Sequence, residues 1–184
     1  AATVHGRGVP GTIPDGVTIT VGQIDFLTIA DITFAGSGSG QLVLQSPDGS
    51  ARISSENTGR HTFSVPIQLR SNLITTSPTF ITFAGPVSED AASRSVLQER
   101  GHIAYTGAAS NTYTGSTTFR GGGLMQLART NGAIAIPGPL NIGPEGLFPS
   151  TVRLDAGDNV ANDAPVTVGL FGTFDINNQT EAIG

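Results

Sequence analysis

The five residues ITFAG occupy Ile32–Gly36, and the same five return unaltered at Ile81–Gly85. Two shorter matches follow each copy in the same order, VLQ at Val43–Gln45 and Val96–Gln98, and Asn-Thr at Asn57 and Asn111. Self-similarity at a long period is the signature of a repeat architecture. The chain is therefore predicted to contain repeats of roughly fifty residues.

A third match links the two ends of the sequence. Ile19–Ile29 reads ITVGQIDFLTI, and Val166–Ile176 reads VTVGLFGTFDI. This similarity predicts that the chain begins and ends in nearly the same phase of the repeat.

Short strands dominate the pattern, because apolar residues alternate with Thr, Ser and other polar residues in brief runs such as Phe63, Val65, Ile67 and Leu69. Turn-forming stretches separate the runs, among them GSGSG at 36–40 and IGPEG at 142–146. The chain holds 25 Gly and 11 Pro, which favours many short elements over a few long helices.

Repeats of this length fit a propeller blade, a sandwich array or two turns of a β-helix. A propeller needs at least about four blades to close, and fewer than four such repeats fit in 184 residues. We therefore predict an all-β fold: an elongated, right-handed, single-stranded parallel β-helix, or β-solenoid, of roughly seven to nine coils. Residues 17–184 form this domain, and residues 1–16 form an N-terminal arm or incomplete cap.

The segment NTYTGSTTFRGGGLMQL at Asn111–Leu127 resembles the autotransporter-associated β-strand repeat of bacterial surface proteins. A second stretch, from Leu154 to Gly184, looks like the segment that follows it in that family. The resemblance implies a parallel β-helix that is exported and displayed on the cell surface, so the expected location is extracellular. It leaves open the export route, and whether the chain is a fragment of a larger passenger or a complete subunit.

The NTYTG corner has a physical interpretation of its own. Its Asn and Thr can hydrogen bond to neighbouring backbone groups, and its Gly supplies a positive φ where the chain bends. Asn stacked on Asn in successive coils is expected to form a side-chain ladder, with Phe and Ile stacking similarly in the core.

Composition argues against several functions. All nine basic residues are Arg, so chemistry that needs a Lys amine is excluded. The formal net charge is -5 and the Arg residues are scattered, which predicts no nucleic-acid partner. No Cys is present to form a disulfide or thiolate metal site, and no apolar run of roughly 18 residues predicts insertion of this segment into a membrane.

The candidate reactive residues favour structural roles. His5, His61 and His102 match no metal spacing, and His61 lies in phase with Phe63 and Val65. The cluster Asp155, Asp158, Asn159, Asn162 and Asp163 could bind calcium, but it lacks a recognised calcium-binding spacing, and turns between strands explain it as well. We therefore predict no catalytic, cofactor-binding or metal-binding residue, and leave calcium open at Asp155, Asp158 and Asp163.

Some parallel β-helices cleave polysaccharides, a reaction that requires two opposed carboxylates. The candidates are Glu89, Asp90 and Glu99, and the first two lie in SEDAASRS, which has the composition of a solvated loop. The Gly-rich stretches do not follow a strand and open a helix, so a nucleotide site is not predicted. An enzyme is therefore the least favoured interpretation.

The favoured function is a non-enzymatic structural or adhesive segment without a cofactor, whose partners are glycans or proteins of a host, cell surface or matrix. The alternative is a subunit of an extracellular filament that self-associates head to tail through exposed β-helix ends. A polysaccharide-active enzyme is the second alternative.

Overall fold

The computed structural model describes residues 3–5, 11–145 and 148–184. These residues contain no helix, and parallel strands wind into a β-solenoid of about seven turns. The predicted all-β parallel solenoid is confirmed.

The strands run in chain order as follows: β1 (Thr3–His5), β2 (Gly11–Ile13), β3 (Thr18–Val21), β4 (Gln23–Phe26), β5 (Ile32–Gly36), β6 (Gln41–Leu44), β7 (Ala51–Ser55), β8 (His61–Phe63), β9 (Ile67–Leu69), β10 (Leu73–Phe83), β11 (Val87–Glu89), β12 (Val96–Gly107), β13 (Thr117–Phe119), β14 (Gly123–Arg129), β15 (Leu140–Ile142), β16 (Ser150–Leu154), β17 (Val166–Val168) and β18 (Gly172–Asp175).

The strands stack into three faces of one coil. Face one carries β1, β4, β7, the first part of β10 and of β12, β13, β15 and β17. Face two carries β2, β5, β8, the second part of β10 and of β12, β14, β16 and β18. Face three carries β3, β6, β9 and β11, and later coils continue it as irregular chain with a bridge from Ile136 to Val160.

Coil length varies while the register is kept. On face one Val4 pairs with Ile24, 20 residues later, and Ile24 pairs with Ile53, 29 residues later. Insertions in the turns absorb this difference, because only the strands must stay aligned. The roughly fifty-residue repeat of the sequence therefore spans two coils.

The twin ITFAG segments confirm the stacking directly. Ile32 and Ile81 pair with opposite edges of the same residue, His61, so the segments lie two coils apart with HTF between them. Phe34, Phe63 and Phe83 follow in register, and their ring centroids are 5.2 and 5.6 Å apart. Tyr105 continues the stack 5.6 Å beyond Phe83. The equivalent side chains thus share one elongated core.

The other sequence matches do not share a register. Val43 lies in β6 on face three, whereas Val96 lies in β12 on face one. Ile19 lies in β3 on face three, whereas Val166 lies in β17 on face one. The prediction that the chain begins and ends in the same phase is wrong. A strand, a Gly corner and a strand look alike wherever they occur, so local similarity does not identify the face.

The NTYTG corner differs from expectation in two ways. Gly115 does not adopt a positive φ; instead a Cβ there would lie 2.4 Å from the Arg94 carbonyl oxygen of the preceding coil, so the corner requires Gly for close approach. Asn111 does not stack on another Asn. Its amide accepts from Val87 N (2.9 Å) and donates to the Ala135 carbonyl oxygen (2.6 Å), which ties three coils together.

The core is one continuous cluster that runs through the stack from Ile13 to Ala164. Side chains alternate between the core and the outside, as in β8, β9, β13 and β15, where the outer residues of each three-residue strand are buried and the middle one is not. β1 and β2 lie within residues 1–16 and pair with β4 and β5. Residues 1, 2 and 6–10 lie outside the described residues, and the predicted boundary at residue 17 stays a prediction.

Candidate functional site

A groove of about 400 Å³ lies on the outside of face two, and we refer to it as the lateral groove. It crosses five successive coils, from β5 through β8, β10 and β12 to β14. Because neighbouring strands lie about 4.8 Å apart, the groove is roughly 19 Å long. Its volume and length together describe a shallow channel along the solenoid axis.

The floor of the lateral groove is a row of hydroxyl groups. Thr33, Thr62 and Thr82 are paired in register, so their outward side chains stack one above another. Ala104 and Gln126 continue the same row on β12 and β14. The alternation that sends Ile, His and Phe of these strands inward sends the Thr outward.

An aromatic side chain forms one wall of the groove. Phe80 is half-buried, and its ring centroid lies 5.1 Å from that of His102 on the next coil. On the preceding coil the Arg60 guanidinium carbon lies 5.5 Å from the Phe80 centroid, a cation–π distance. The Asp31 carboxylate accepts a hydrogen bond from Arg60 N at 2.7 Å, which orders the turn before β8.

A second feature is the last coil, residues 166–184, whose core side chains are left uncovered. β17 pairs only with β15, and β18 only with β16, in the described part of the chain. Val168 and Ile142 are register partners, yet Val168 is 48% exposed while Ile142 is fully buried. Ile176 is 53% exposed and Leu170 is 89% exposed.

The three histidines do not lie together. His61 is buried in the core as its phase predicted; its ring stacks on Phe26 with centroids 3.7 Å apart, and its Nε2 lies 3.3 Å from Ser55 Oγ. Burial lowers the pKa of His61, although the Asp31 charge opposes this shift. His102 lies beside the groove, and the side chain of His5 is outside the described part of the structure.

The acidic cluster is dispersed. The Asp155 carboxylate accepts from Arg153 Nε at 2.8 Å and from Gln126 Nε2 at 2.7 Å. Asn159 points into the core and bonds to the backbone of Arg129, while Asp163 is exposed. No group of three or more His, Cys, Asp or Glu side chains converges on one point among the residues that the structure describes.

The three carboxylates considered for polysaccharide cleavage each have another partner. Glu89 accepts from Arg94 N and from Thr114 Oγ1, both at 2.7 Å. Asp90 forms an ion pair with Arg94 at 2.9 Å. Glu99 lies on face one, 3.6 Å from Arg120. Glu99 thus lies on a different face from β11, the strand that carries Glu89.

Sequence analysis missed a buried cation. Arg129 is fully buried, and its guanidinium donates to the carbonyl oxygens of Thr106 (2.7 Å) and Gly85 (2.9 Å) and to Asn111 Oδ1 (2.5 Å). Burial lowers its pKa. The signal was present, because Met125, Leu127 and Arg129 alternate in phase and the last must therefore point inward.

The described residues contain no helix that is long and apolar enough to cross a membrane. Comparisons with known protein families, curated proteins and solved structures give no match to this chain.

Proposed function

We propose that this chain is a non-enzymatic structural and adhesive segment of an extracellular bacterial surface protein of the autotransporter type. Its solenoid serves as a rigid rod, and its outward faces serve as the surface that meets other molecules.

The observation that carries this proposal is the uninterrupted stack. Every coil rests on its neighbours through backbone pairing and through inward side chains, as in the row Phe34, Phe63, Phe83 and Tyr105. Such a stack grows in one dimension, so its length is set by the number of coils. A rod of this kind suits a protein that projects surfaces away from a cell.

Two further features support an extracellular adhesive segment. The resemblance of Asn111–Leu127 to the surface-protein repeat implies export. The carboxylates that an enzyme would need are engaged in local contacts, as the Asp90 pair with Arg94 shows. The lateral groove offers a recognition surface that requires no reactive group.

Labelling of intact cells tests the proposed location. Antibodies against the purified chain are expected to label intact cells of the source bacterium as strongly as permeabilised cells. An antibody against a cytoplasmic protein of the same cells serves as the control and should label only permeabilised cells. Labelling by the first antibody that also requires permeabilisation would contradict the proposal.

A second candidate function, a filament subunit, is favoured by the last coil. Leu170, Ile176 and Val168 leave apolar surface uncovered beside two unpaired strand edges. Strand edges of this kind pair readily with another copy. Because the contact joins different surfaces of the two copies, it does not close and forms a fibre.

Sedimentation velocity over a range of concentrations tests the filament. The wild-type chain should associate as concentration rises, and the double variant Leu170→Asp, Ile176→Asp should stay monomeric because charges resist burial. Ile29→Asp is the matched control, since Ile29 is 76% exposed in the turn between β4 and β5. A wild-type chain that is monomeric at every concentration would exclude the filament.

A further inference from the structure

We infer that the lateral groove binds an unbranched, uncharged glycan laid along the solenoid axis across β5, β8, β10, β12 and β14. This inference rests on the adhesive part of the proposed function and deepens it by naming the binding surface and the class of ligand.

The shape of the groove favours an extended ligand. It is roughly 19 Å long with a volume of about 400 Å³, so a compact ligand would fill only part of it. The volume lies within the range of small-molecule sites, about 300–1,000 Å³. A linear chain of several sugar rings matches a channel of this kind.

The backbone of the groove argues against an extended peptide. Peptides that bind sheets commonly add a strand to a free edge. Here β8 is paired with β5 on one side and with β10 on the other, so its backbone offers no free edge. Recognition must therefore depend on the outward side chains.

Those side chains have the chemistry of carbohydrate recognition. The hydroxyls of Thr33, Thr62 and Thr82 can each donate and accept, as the hydroxyls of a sugar do. Gln126 adds an amide donor and acceptor farther along the same row. The Phe80 wall adds an apolar contact for the C–H groups of a sugar ring. The hydroxyl row repeats from coil to coil, so each ring of a linear glycan meets a similar surface.

Charge selects an uncharged ligand. The groove is lined by one acidic side chain, Asp31, and one basic side chain, Arg60, so the formal charges of the lining cancel. The chain as a whole carries a net charge of -5, which repels an acidic polysaccharide. A neutral glycan incurs neither penalty.

Isothermal titration calorimetry tests the inference with cellotetraose, maltotetraose and laminaritetraose as neutral probes and tetragalacturonate as the acidic probe. At least one neutral probe is expected to bind with a Kd of about 1 mM or tighter. Phe80→Ala and Thr62→Val should each weaken that binding about tenfold, which corresponds to about 1.4 kcal/mol. Both side chains are half-buried and outward, so the fold should persist, as circular dichroism would verify.

Two variants elsewhere on the solenoid are the matched controls. Phe148→Ala removes an exposed Phe outside the groove, and Thr118→Val removes an outward hydroxyl on face one. Both should bind like wild type. Failure of every neutral probe to bind, equal loss in the controls, or preference for tetragalacturonate would overturn the inference. Surface labelling without glycan binding would refute this inference alone, and glycan binding without surface labelling would refute the proposed location alone.

Discussion

The aromatic stack on face two makes a quantitative prediction about Phe63. Its ring is fully buried and lies 5.2 Å from Phe34, 5.6 Å from Phe83 and 6.0 Å from Phe26. Replacing a buried Phe by Ala costs about 3–5 kcal/mol in transfer and cavity terms. Each aromatic pair adds about 0.5–1.5 kcal/mol, although these terms overlap with the first. We expect Phe63→Ala to lower the free energy of unfolding by about 5 kcal/mol.

Phe34→Ala is the matched comparison, because Phe34 belongs to the same stack but is only partly buried. Its loss is expected to cost about 2 kcal/mol, since less apolar area returns to water. Phe63→Leu keeps much of the volume, so we expect it to lower the stability less than Phe63→Ala does.

Urea unfolding followed by far-ultraviolet circular dichroism measures these differences. Stacked coils can unfold in segments, so amide hydrogen exchange should confirm that the loss of protection centres on β5, β8 and β10. An equal or smaller loss for Phe63→Ala than for Phe34→Ala would refute the reasoning that the coils are held together by their stacked inward side chains.

Two further predictions concern pH. Burial lowers the pKa of His61 in the folded chain, so the unfolded chain takes up the proton first and stability falls as pH decreases below about 6.5. His61→Ile, which matches Ile32 and Ile81 on either side, should remove that part of the slope in urea titrations at several pH values; an unchanged slope would contradict this assignment. Burial raises the pKa of Tyr113 to about 12 and that of Tyr105 well above its ordinary value, so stability should fall as pH rises from about 10 through about 12. Tyrosinate absorbance should therefore rise together with the loss of circular dichroism, and ionisation near pH 10 with the fold intact would disprove it.

Part of the candidate site was accessible from sequence. Alternation predicts that Thr33, Thr62 and Thr82 point outward once Phe34, Phe63 and Phe83 point inward. It does not predict that these Thr stack, because ITF at Ile32 and HTF at His61 are separated by turns of unrelated length. The lateral groove exists only when consecutive coils are placed in register.

The Asn ladder illustrates the opposite error. Asn111 was correctly identified as a corner residue, yet its partners are Val87 and Ala135 rather than another Asn. The coil that follows places Ala135 where an Asn was expected. Coil lengths that vary from 20 to 29 residues prevent a fixed spacing from identifying the neighbour.

The amino-acid sequence by itself determined the period-two alternation, the short strands, the repetition of ITFAG and hence a stack of parallel coils. Those properties depend on which side chains prefer water and which do not, and such preferences are local. Only the tertiary structure decided which segments share a face, that Arg129 is satisfied by the carbonyls of Gly85 and Thr106, and that the last coil leaves Leu170 and Ile176 uncovered. Register across coils is a long-range property, because turns of any length can join strands that must still align.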